Sequence, residues 1–345
     1  MTEVTTSARK DDHIRINLER DVQSDGVSTG LERLYFEHQA LPEMEMAAVD
    51  MALTVFGRKL SAPLLISCMT GGSAAAGEIN RALARAAQQA GVALGLGSMR
   101  AALEQPATVA SFQVREVAPN VLLLANLGAV QLNYGVGAAG CRRIVEMAQA
   151  DALVLHFNAL QEAVQPEGDT DFSGLLAKVE QVCTALARDG VPVVAKEVGW
   201  GFSEETCRAL AVAGVAAIDV AGAGGTSWSQ VEMYRAEDET EKKVAAAFAD
   251  WGISTAEALR MARRGAPEIV AIASGGLRDG VEVAKCIALG ASLAGIARPF
   301  LEAAVRSPEE VLQAVRVIER QLRISMFCAG AADIAALQRT PLSHR

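Results

Sequence analysis

A short strand followed at once by polar groups is predicted by Ala152-Leu153-Val154-Leu155-His156-Phe157-Asn158-Ala159-Leu160-Gln161-Glu162. The first four residues form an apolar run typical of a strand that is buried on both faces. An imidazole, two amides and a carboxylate then follow at His156, Asn158, Gln161 and Glu162. Of the four histidines in the chain, at positions 13, 38, 156 and 344, only His156 lies well inside the patterned part of the sequence. One interpretation is a capped strand end with a solvated loop, and the other is a cluster that carries chemistry.

Seven further apolar runs of the same kind occur along the chain, separated mostly by segments of helix length. In chain order the eight runs cover residues 63–69, 92–97, 121–125, 152–155, 191–194, 217–220, 269–272 and 293–296. The segment after the first run, residues 77–90, places Ile79, Leu83 and Ala87 on one face of a helix. Strands that alternate with helices predict βα units and a parallel sheet. Eight units favour an α/β fold closed into a (β/α)8 barrel, and no GxGxxG pattern follows the first run to favour an open sheet.

Three segments lie outside this pattern. Residues 1–57 show no barrel repeat and carry the mixed-charge run Arg9-Lys10-Asp11-Asp12-His13, so we predict an N-terminal arm attached to a barrel of residues 58–345 in a single domain. The connection after the sixth run, from about Gly222 to Ser254, is long enough to be a functional lid or a disordered loop. The tail after Arg306 is expected to be helical and to end in a frayed segment, residues 340–345.

Composition restricts the function classes. The 345 residues are 51% hydrophobic with a formal net charge of -9, which argues against a nucleic-acid surface but does not exclude an anionic substrate bound by a local cluster. No apolar run reaches the roughly 18 residues of a membrane span, and the N-terminus does not resemble a signal peptide. The six cysteines form no CxxC pair, so we expect reduced thiols and a cytoplasmic protein.

A phosphate site is predicted after the seventh and eighth runs. Ser274-Gly275-Gly276 follows the seventh and Ala297-Arg298 follows the eighth. Barrels commonly bind phosphate with these two loops, because glycine lets the backbone approach the phosphate and arginine adds a fixed charge. The alternative is a pair of tight turns without a ligand.

Small polar residues end the remaining runs, and they suit a flat ring system that carries a phosphate tail. They are Thr70-Gly71-Gly72, Ser98, Asn126, Lys196 and Thr226. This pattern points to FMN. Lys196 has three interpretations: a cation beside the N1–C2 carbonyl edge of the flavin, a Schiff-base lysine, or an ion pair with an acid of a neighbouring strand.

The chain resembles the type 2, FMN-dependent isopentenyl diphosphate isomerases. The resemblance extends from the N-terminal charged run to Ala297-Arg298-Pro299-Phe300, with HxNxxQE at residues 156–162 and KEVGWG at 196–201 as its most specific motifs. Further matching segments are residues 69–72, 97–100, 125–128, 224–228 and 274–278.

The resemblance implies a set of site residues. FMN would contact Met69, Thr70, Gly71, Ser98, Asn126, Lys196, Thr226, Gly275, Gly276, Ala297 and Arg298. The substrate would contact Arg9, Lys10, Ser98, Met99, Arg100, His156, Asn158 and Gln161, with His156, Gln161 and Lys196 as the catalytic set. Glu162 would bind Mg²⁺ that bridges the diphosphate, a role that suits a hard cation with few protein ligands.

The resemblance also implies a reaction, the interconversion of isopentenyl and dimethylallyl diphosphate. Reduced FMN would move the proton without net redox, NADPH would be the reductant, and the chain would form a homo-oligomer, a tetramer or an octamer. Three alternatives remain open from the residues: an FMN oxidoreductase of the 2-hydroxy acid oxidase type, a Schiff-base aldolase through Lys196, and a non-catalytic flavin-binding sensor. The first would need a histidine base after the sixth or seventh run, and neither run has one.

Overall fold

Eight parallel strands close into a barrel, which confirms the predicted (β/α)8 architecture. The structure, a computed structural model, describes residues 6–345, with side chains from Lys10 onward. The strands are β1 (Leu34–Phe36), β2 (Leu53–Val55), β3 (Arg58–Leu60), β4 (Leu64–Ile66), β5 (Ala93–Gly95), β6 (Leu123–Gly128), β7 (Ala152–Phe157), β8 (Val193–Glu197), β9 (Ala217–Asp219), β10 (Val270–Ser274), β11 (Leu293–Ile296) and β12 (Leu342–His344). Strands β4 to β11 form the barrel in chain order, and β11 pairs with β4 to close it.

Helices surround the barrel and its carboxyl-terminal mouth. They are α1 (Thr6–Glu19), α2 (Ala74–Ala90), α3 (Arg100–Glu104), α4 (Ala138–Ala148), α5 (Ala159–Val164), α6 (Leu175–Ala187), α7 (Glu204–Val212), α8 (Trp228–Arg235), α9 (Glu239–Ala246), α10 (Thr255–Gly265), α11 (Gly280–Ala288), α12 (Arg298–Ala304), α13 (Pro308–Cys328) and α14 (Ile334–Arg339). Several begin at a side-chain cap: the Ser73 hydroxyl accepts from Ala76 N, and the Asp279 carboxylate accepts from two N–H groups of α11. Such caps satisfy donors that the first helical turn leaves unpaired.

Successive barrel residues point alternately outward and inward, which sorts the core into two layers. Outward residues such as Leu153 and Leu155 pack against the helices, whereas Val154 belongs to a separate apolar cluster inside the barrel. Continuing that alternation, His156 is the next inward position of β7. Lys196 follows inward Val194 in the same way on β8. The apolar interior therefore ends in a polar layer at the carboxyl ends of the strands.

Four of the predicted strands are longer than their apolar runs. β6 continues to Gly128, β7 to Phe157, β8 to Glu197 and β10 to Ser274. The backbone pairing persists beyond the last apolar residue, for example between His156 and Lys196. Hydrophobicity therefore marks the apolar part of each strand but not its end, because buried polar side chains such as Asn126, Lys196 and Ser274 are tolerated where they border the cavity.

The described part of the N-terminal segment packs against the barrel rather than being solvated. At the carboxyl-terminal mouth, Lys10 Nζ of α1 donates to Ser98 O at 2.5 Å, and Ser24 N donates to Gly225 O at 3.1 Å. At the opposite end, Val55 and Leu60 of the β2–β3 hairpin complete the inner apolar cluster. The N-terminal segment, together with the adjoining strand β3, thus covers both openings of the barrel.

Two expectations about irregular segments are affected. The long connection after the sixth barrel strand contains α8 and α9, so it is not a disordered loop, and the functional lid stays a prediction. The C-terminal residues 340–345 are not frayed, because β12 pairs antiparallel with β1, from Leu34↔His344 to Phe36↔Leu342. A three-residue strand has too little pattern to be recognised without its partner, which lies about three hundred residues away in the sequence. Within residues 6–345, no helix combines the length and the apolar character needed to cross a membrane.

Candidate active site

A cavity of about 570 Å³ opens at the carboxyl ends of the barrel strands, the place where barrels carry their chemistry. Most residues predicted from the sequence line it: Lys10, Met69, Thr70, Ser98, Arg100, Asn126, His156, Asn158, Gln161, Glu162, Lys196, Thr226, Gly275, Gly276, Ala297 and Arg298. Gly71 and Met99 do not, because Gly71 lies against the ring of Phe112 and the Met99 side chain is fully buried in the outer core. The side chain of Arg9 lies outside the described residues.

The loops after β10 and β11 form one side of the cavity and are built for close backbone approach. Gly276 has φ +73, and a Cβ there would lie 2.4 Å from Gly224 O. Arg298 Nε donates to Glu302 at 2.9 Å, whereas its Nη1 is buried and has no hydrogen-bond partner. A buried guanidinium nitrogen beside two glycines suits a phosphate oxygen.

On the cavity floor, Lys196 Nζ lies 2.8 Å from Asp219 Oδ2 and 3.2 Å from Ser274 Oγ, and Ser274 Oγ donates to Asp219 Oδ1 at 2.5 Å. The ion pair with a neighbouring strand, one of the three interpretations of Lys196, is therefore present. Because Lys196 also lines the cavity, this pair does not exclude a contact with a ligand. The hydroxyls of Ser67 and Thr70, on the same cavity wall, are buried without a partner.

His156 is held in one orientation by Asn126. Its Nδ1 lies 2.7 Å from Asn126 Oδ1, an oxygen that only accepts, so the proton resides on Nδ1 and Nε2 carries the lone pair. Burial, together with the positive charges of Lys196 and Lys10, lowers the pKa of His156 to about 4. The imidazole is therefore neutral near pH 7 in the absence of an anionic ligand.

The polar groups that follow β7 are brought together by the first turn of α5. Asn158 Nδ2 donates to Glu162 Oε1 at 2.8 Å and to Gln161 Oε1 at 3.2 Å, and Asn158 Oδ1 is buried without a partner. Asp169 N donates to Glu162 Oε2 at 2.8 Å. Among the described residues, no three acidic, histidine or cysteine side chains cluster as a ready-made metal site. A cation at Glu162 would therefore need oxygens from its ligand.

Glu232 of α8 is a functional candidate that the sequence did not reveal. Its Oε1 accepts from Gln161 Nε2 at 2.9 Å and from Gln165 Nε2 at 2.7 Å. The same oxygen lies 3.1 Å from His13 Nε2, but the geometry of that contact is not that of a hydrogen bond. Burial alone would raise the pKa of Glu232, but His13, Arg235 and Gln161 outweigh it and lower that pKa to about 2. Glu232 is thus a fixed negative charge that joins α1, α5 and α8.

Cations approach the same side of the cavity from two further elements. Lys10 Nζ is anchored on Ser98 O, 5.3 Å from the centre of the Phe112 ring. Arg100 Nη1 pairs with Asp169 Oδ2 at 2.5 Å and its Nε with Glu104 at 2.6 Å. These groups offer positive charge to an anionic ligand near His156 and Asn158.

The KEVGWG turn supports the site from behind. Glu197 points away from the cavity, and its Oε2 accepts from four consecutive backbone N–H groups, residues 198–201, at 2.5–3.1 Å. Burial nevertheless raises the pKa of Glu197 to about 7. The motif residue thus shapes the loop that carries Val198 and Gly199 into the cavity wall.

The geometry fits FMN on observations of the residues themselves. The unpartnered polar atoms of Ser67, Thr70 and Arg298 all border one cavity, and the glycine pair lets the loop after β10 pack closely on residues 222–224 at its edge. Buried polar groups normally have partners, so these orphans indicate a polar ligand. The volume lies in the range of sites for small molecules and cofactors.

Comparisons with known proteins agree with this geometry. The sequence profile of the family described as FMN-dependent dehydrogenase matches residues 8–124 and 132–344. An isopentenyl-diphosphate delta-isomerase of Nostoc sp. is 51% identical over 97% of this chain and 95% of its own length. The enzyme of the same name from Rickettsia bellii is 48% identical over 97% of this chain and 96% of its length.

Solved structures extend the comparison to the fold. A mandelate oxidase variant aligns with a TM-score of 0.66 at 20% identity, covering 99% of each chain. A flavocytochrome b2 mutant with bound pyruvate aligns with a TM-score of 0.71 at 18% identity, covering 96% of this chain and 82% of its own. At such identities the likeness shows a common barrel and no more.

Proposed function

Because the chain belongs to the FMN-dependent dehydrogenase family, and within it to the isopentenyl-diphosphate delta-isomerases, we propose that it interconverts isopentenyl and dimethylallyl diphosphate with reduced FMN as its cofactor. Bound and reduced, FMN supplies an acid–base group for moving a proton on and off an alkene. The 2-hydroxy acid oxidase alternative is not favoured, since the oxidase likeness is one of fold at about 20% identity.

One observation carries the proposal: groups that can bind an anion lie on two opposite sides of the same cavity. The orphan guanidinium nitrogen of Arg298 follows β11, whereas His156 is the last inward residue of β7. These strands are four positions apart in a ring of eight, so they face each other across the mouth. A flavin phosphate on the β11 side and a substrate diphosphate on the β7 side would place the flavin ring and the alkene between them.

The chain's own residues bind and orient. Lys10, Arg100 and His156 supply donors for the diphosphate, and an anion beside His156 favours its protonated form, which donates from both ring nitrogens. Gln161 is fixed by its bond to Glu232, so its amide is held at the cavity wall. Helix α1 covers the mouth and reduces access of water to a cationic transition state.

Turnover tests the proposal directly. Purified protein with FMN, Mg²⁺, NADPH and isopentenyl diphosphate, kept anaerobic, should form dimethylallyl diphosphate, detected by NMR of the two methyl groups. Lack of product with fully loaded FMN would reject the isomerase function and leave the flavin-binding sensor. Borohydride trapping of a lysine adduct would instead support the aldolase.

Replacing Glu162 by glutamine should remove the response to Mg²⁺ and spare FMN binding. The carboxylate lines the cavity beside Asn158, and only a charged oxygen binds a hard cation well. We expect the Mg²⁺ concentration for half-maximal rate to rise at least about tenfold, which corresponds to a loss of about 1.4 kcal/mol in the free energy of Mg²⁺ binding. Glu180→Gln, at an exposed carboxylate of α6, is the matched control and should behave as wild type. An unchanged Mg²⁺ titration in Glu162→Gln would mean that Glu162 only orders its loop.

Three further parts of the proposal rest on the resemblance. NADPH would reduce the flavin, the chain would assemble as a homo-oligomer, and the arm of residues 1–57 would close over the substrate. The last is supported by the positions of Lys10 and His13, which line the cavity and contact Ser98 and Glu232.

A further inference from the structure

Asp219 is a buried acid that the proposed reaction does not use. Its side chain points into the barrel from β9, it is 1% exposed, and it does not line the cavity. Both carboxylate oxygens are engaged, one by Lys196 Nζ at 2.8 Å and the other by Ser274 Oγ at 2.5 Å. Lys196 and Ser274 do line the cavity, so Asp219 lies one layer behind them.

We propose that Asp219 is a positioning residue that keeps Lys196 in its ammonium form and directs it at the edge of the bound flavin. The cofactor part of this inference rests on the proposed function. The part that concerns the charge of Lys196 does not, because it follows from the protein alone.

Burial supplies the physical reason. An amine that is buried without a counter-charge loses its proton, since the low-dielectric interior disfavours the ion. Lys196 is 8% exposed, and the only polar partners recorded for its Nζ among residues 10–345 are Asp219 and Ser274. Ser274 is neutral, so Asp219 is the one anion that holds the ammonium.

The other titratable groups near Lys196 cannot replace Asp219. Cys68 is a neutral thiol, because burial raises its pKa to about 11. His156 is neutral as well, and Lys10 adds positive charge rather than negative. Among residues 10–345, removing the Asp219 charge would therefore leave Lys196 Nζ without an anionic hydrogen-bond partner.

A consequence follows for the cofactor. A cation at the N1–C2 carbonyl edge stabilises negative charge on the reduced flavin ring. Because Asp219 determines the charge of Lys196, it also determines how strongly the reduced flavin is stabilised, although it does not contact the flavin itself.

Labelling of Lys196 in flavin-free protein tests the first half. Acetic anhydride reacts with free amines and not with ammonium, and peptide mass spectrometry reports the extent at Lys196, with exposed Lys59 as internal reference. We expect Asp219→Asn to label at Lys196 at least tenfold faster than wild type at pH 8. Ser274→Ala retains the charge pair and should stay within a few-fold of wild type. A rate in Asp219→Asn within twofold of wild type would overturn the inference, whatever the protein's activity.

The fold is verified for each variant by circular dichroism and thermal melting. Should Asp219→Asn fail to fold, Asp219→Ser also removes the charge and leaves space for water, and it is labelled in its place. Asp219→Glu retains the charge and should restore protection of Lys196.

The flavin readout tests the second half. In FMN-loaded protein, Asp219→Asn should lower the midpoint potential of the flavin. The reduced flavin of this variant should also lose its proton, and change from the neutral to the anionic spectrum, at a higher pH than in wild type. In a Lys196→Met background the same change should add nothing, because Asp219 acts through Lys196. A raised potential would show instead that Lys196 keeps its charge and that Asp219 only offsets it.

Discussion

Protein loaded with oxidised FMN should not convert isopentenyl diphosphate, and reduction of the flavin should start turnover without consuming a reductant in each cycle. We expect at least a hundredfold difference in rate, within the 10²–10⁴-fold range that a positioned acid–base group contributes. NADPH should then be needed once per flavin rather than once per product.

The charges of the cavity explain this expectation. Protonating an unactivated alkene needs a strong acid, and three groups of the site with shifted pKa values, Glu232, His156 and Glu197, do not supply one. The pKa of Glu232 is lowered to about 2 by His13, Arg235 and Gln161 against the effect of burial, so this carboxyl is ionised near pH 7. Burial lowers the pKa of His156 to about 4, so its imidazole is neutral without an anion; once protonated beside the diphosphate, it donates to Asn126 and to that anion and leaves no N–H for the alkene. Glu197, with a pKa raised to about 7, points out of the cavity.

Photoreduction under argon separates flavin state from reductant chemistry. The same sample is assayed oxidised, photoreduced and reoxidised, with product followed by NMR and NADPH by absorbance. In D₂O the photoreduced enzyme should place deuterium in the product. Equal rates for oxidised and reduced protein, or NADPH oxidised in step with product, would rule out an acid–base role for the flavin.

The fold was predictable because each barrel strand contains its own apolar run. The site was predictable where it follows a strand directly: Asn126, His156 and Lys196 are the next inward positions after apolar inward residues. Because every second side chain of a strand faces inward, the first polar inward residue after the apolar core lies in the cavity. The apolar runs alone did not show where each strand ends, since β7 and β8 continue through their polar residues.

Contacts between distant segments were not predictable. Glu232 lies in an insertion that shows no barrel pattern, and its role depends on Gln161, 71 residues away, and on His13 of α1. Asp219 was visible only as a polar residue inside the apolar run 217–220, and its pairing with Lys196 follows from the β8–β9 register. A single sequence records these residues but not which of them meet.

Replacing Gly276 by alanine should abolish FMN binding, and with it all activity. The wild-type protein should release one FMN per chain on denaturation; FAD, or no flavin at any loading, would refute the assigned cofactor. In Gly276→Ala we expect less than about a tenth of that FMN, which corresponds to a loss of at least about 1.4 kcal/mol in the free energy of FMN binding. The added Cβ would lie 2.4 Å from Gly224 O and 2.6 Å from Thr29 Cγ2, so the loop must move away from the position that receives the phosphate.

Gly190 provides the control that isolates this clash from backbone strain. Its φ of +71 nearly equals the +73 of Gly276, but a Cβ at Gly190 meets nothing within 4 Å. Both alanine variants carry the same left-handed strain, about 1–2 kcal/mol, and only Gly276→Ala adds the clash at the cavity. Gly190→Ala should therefore melt slightly earlier than wild type and keep its full FMN content. Equal FMN loss in both variants would assign the effect to general destabilisation, whereas loss confined to Gly276→Ala places the phosphate at the glycine pair after β10.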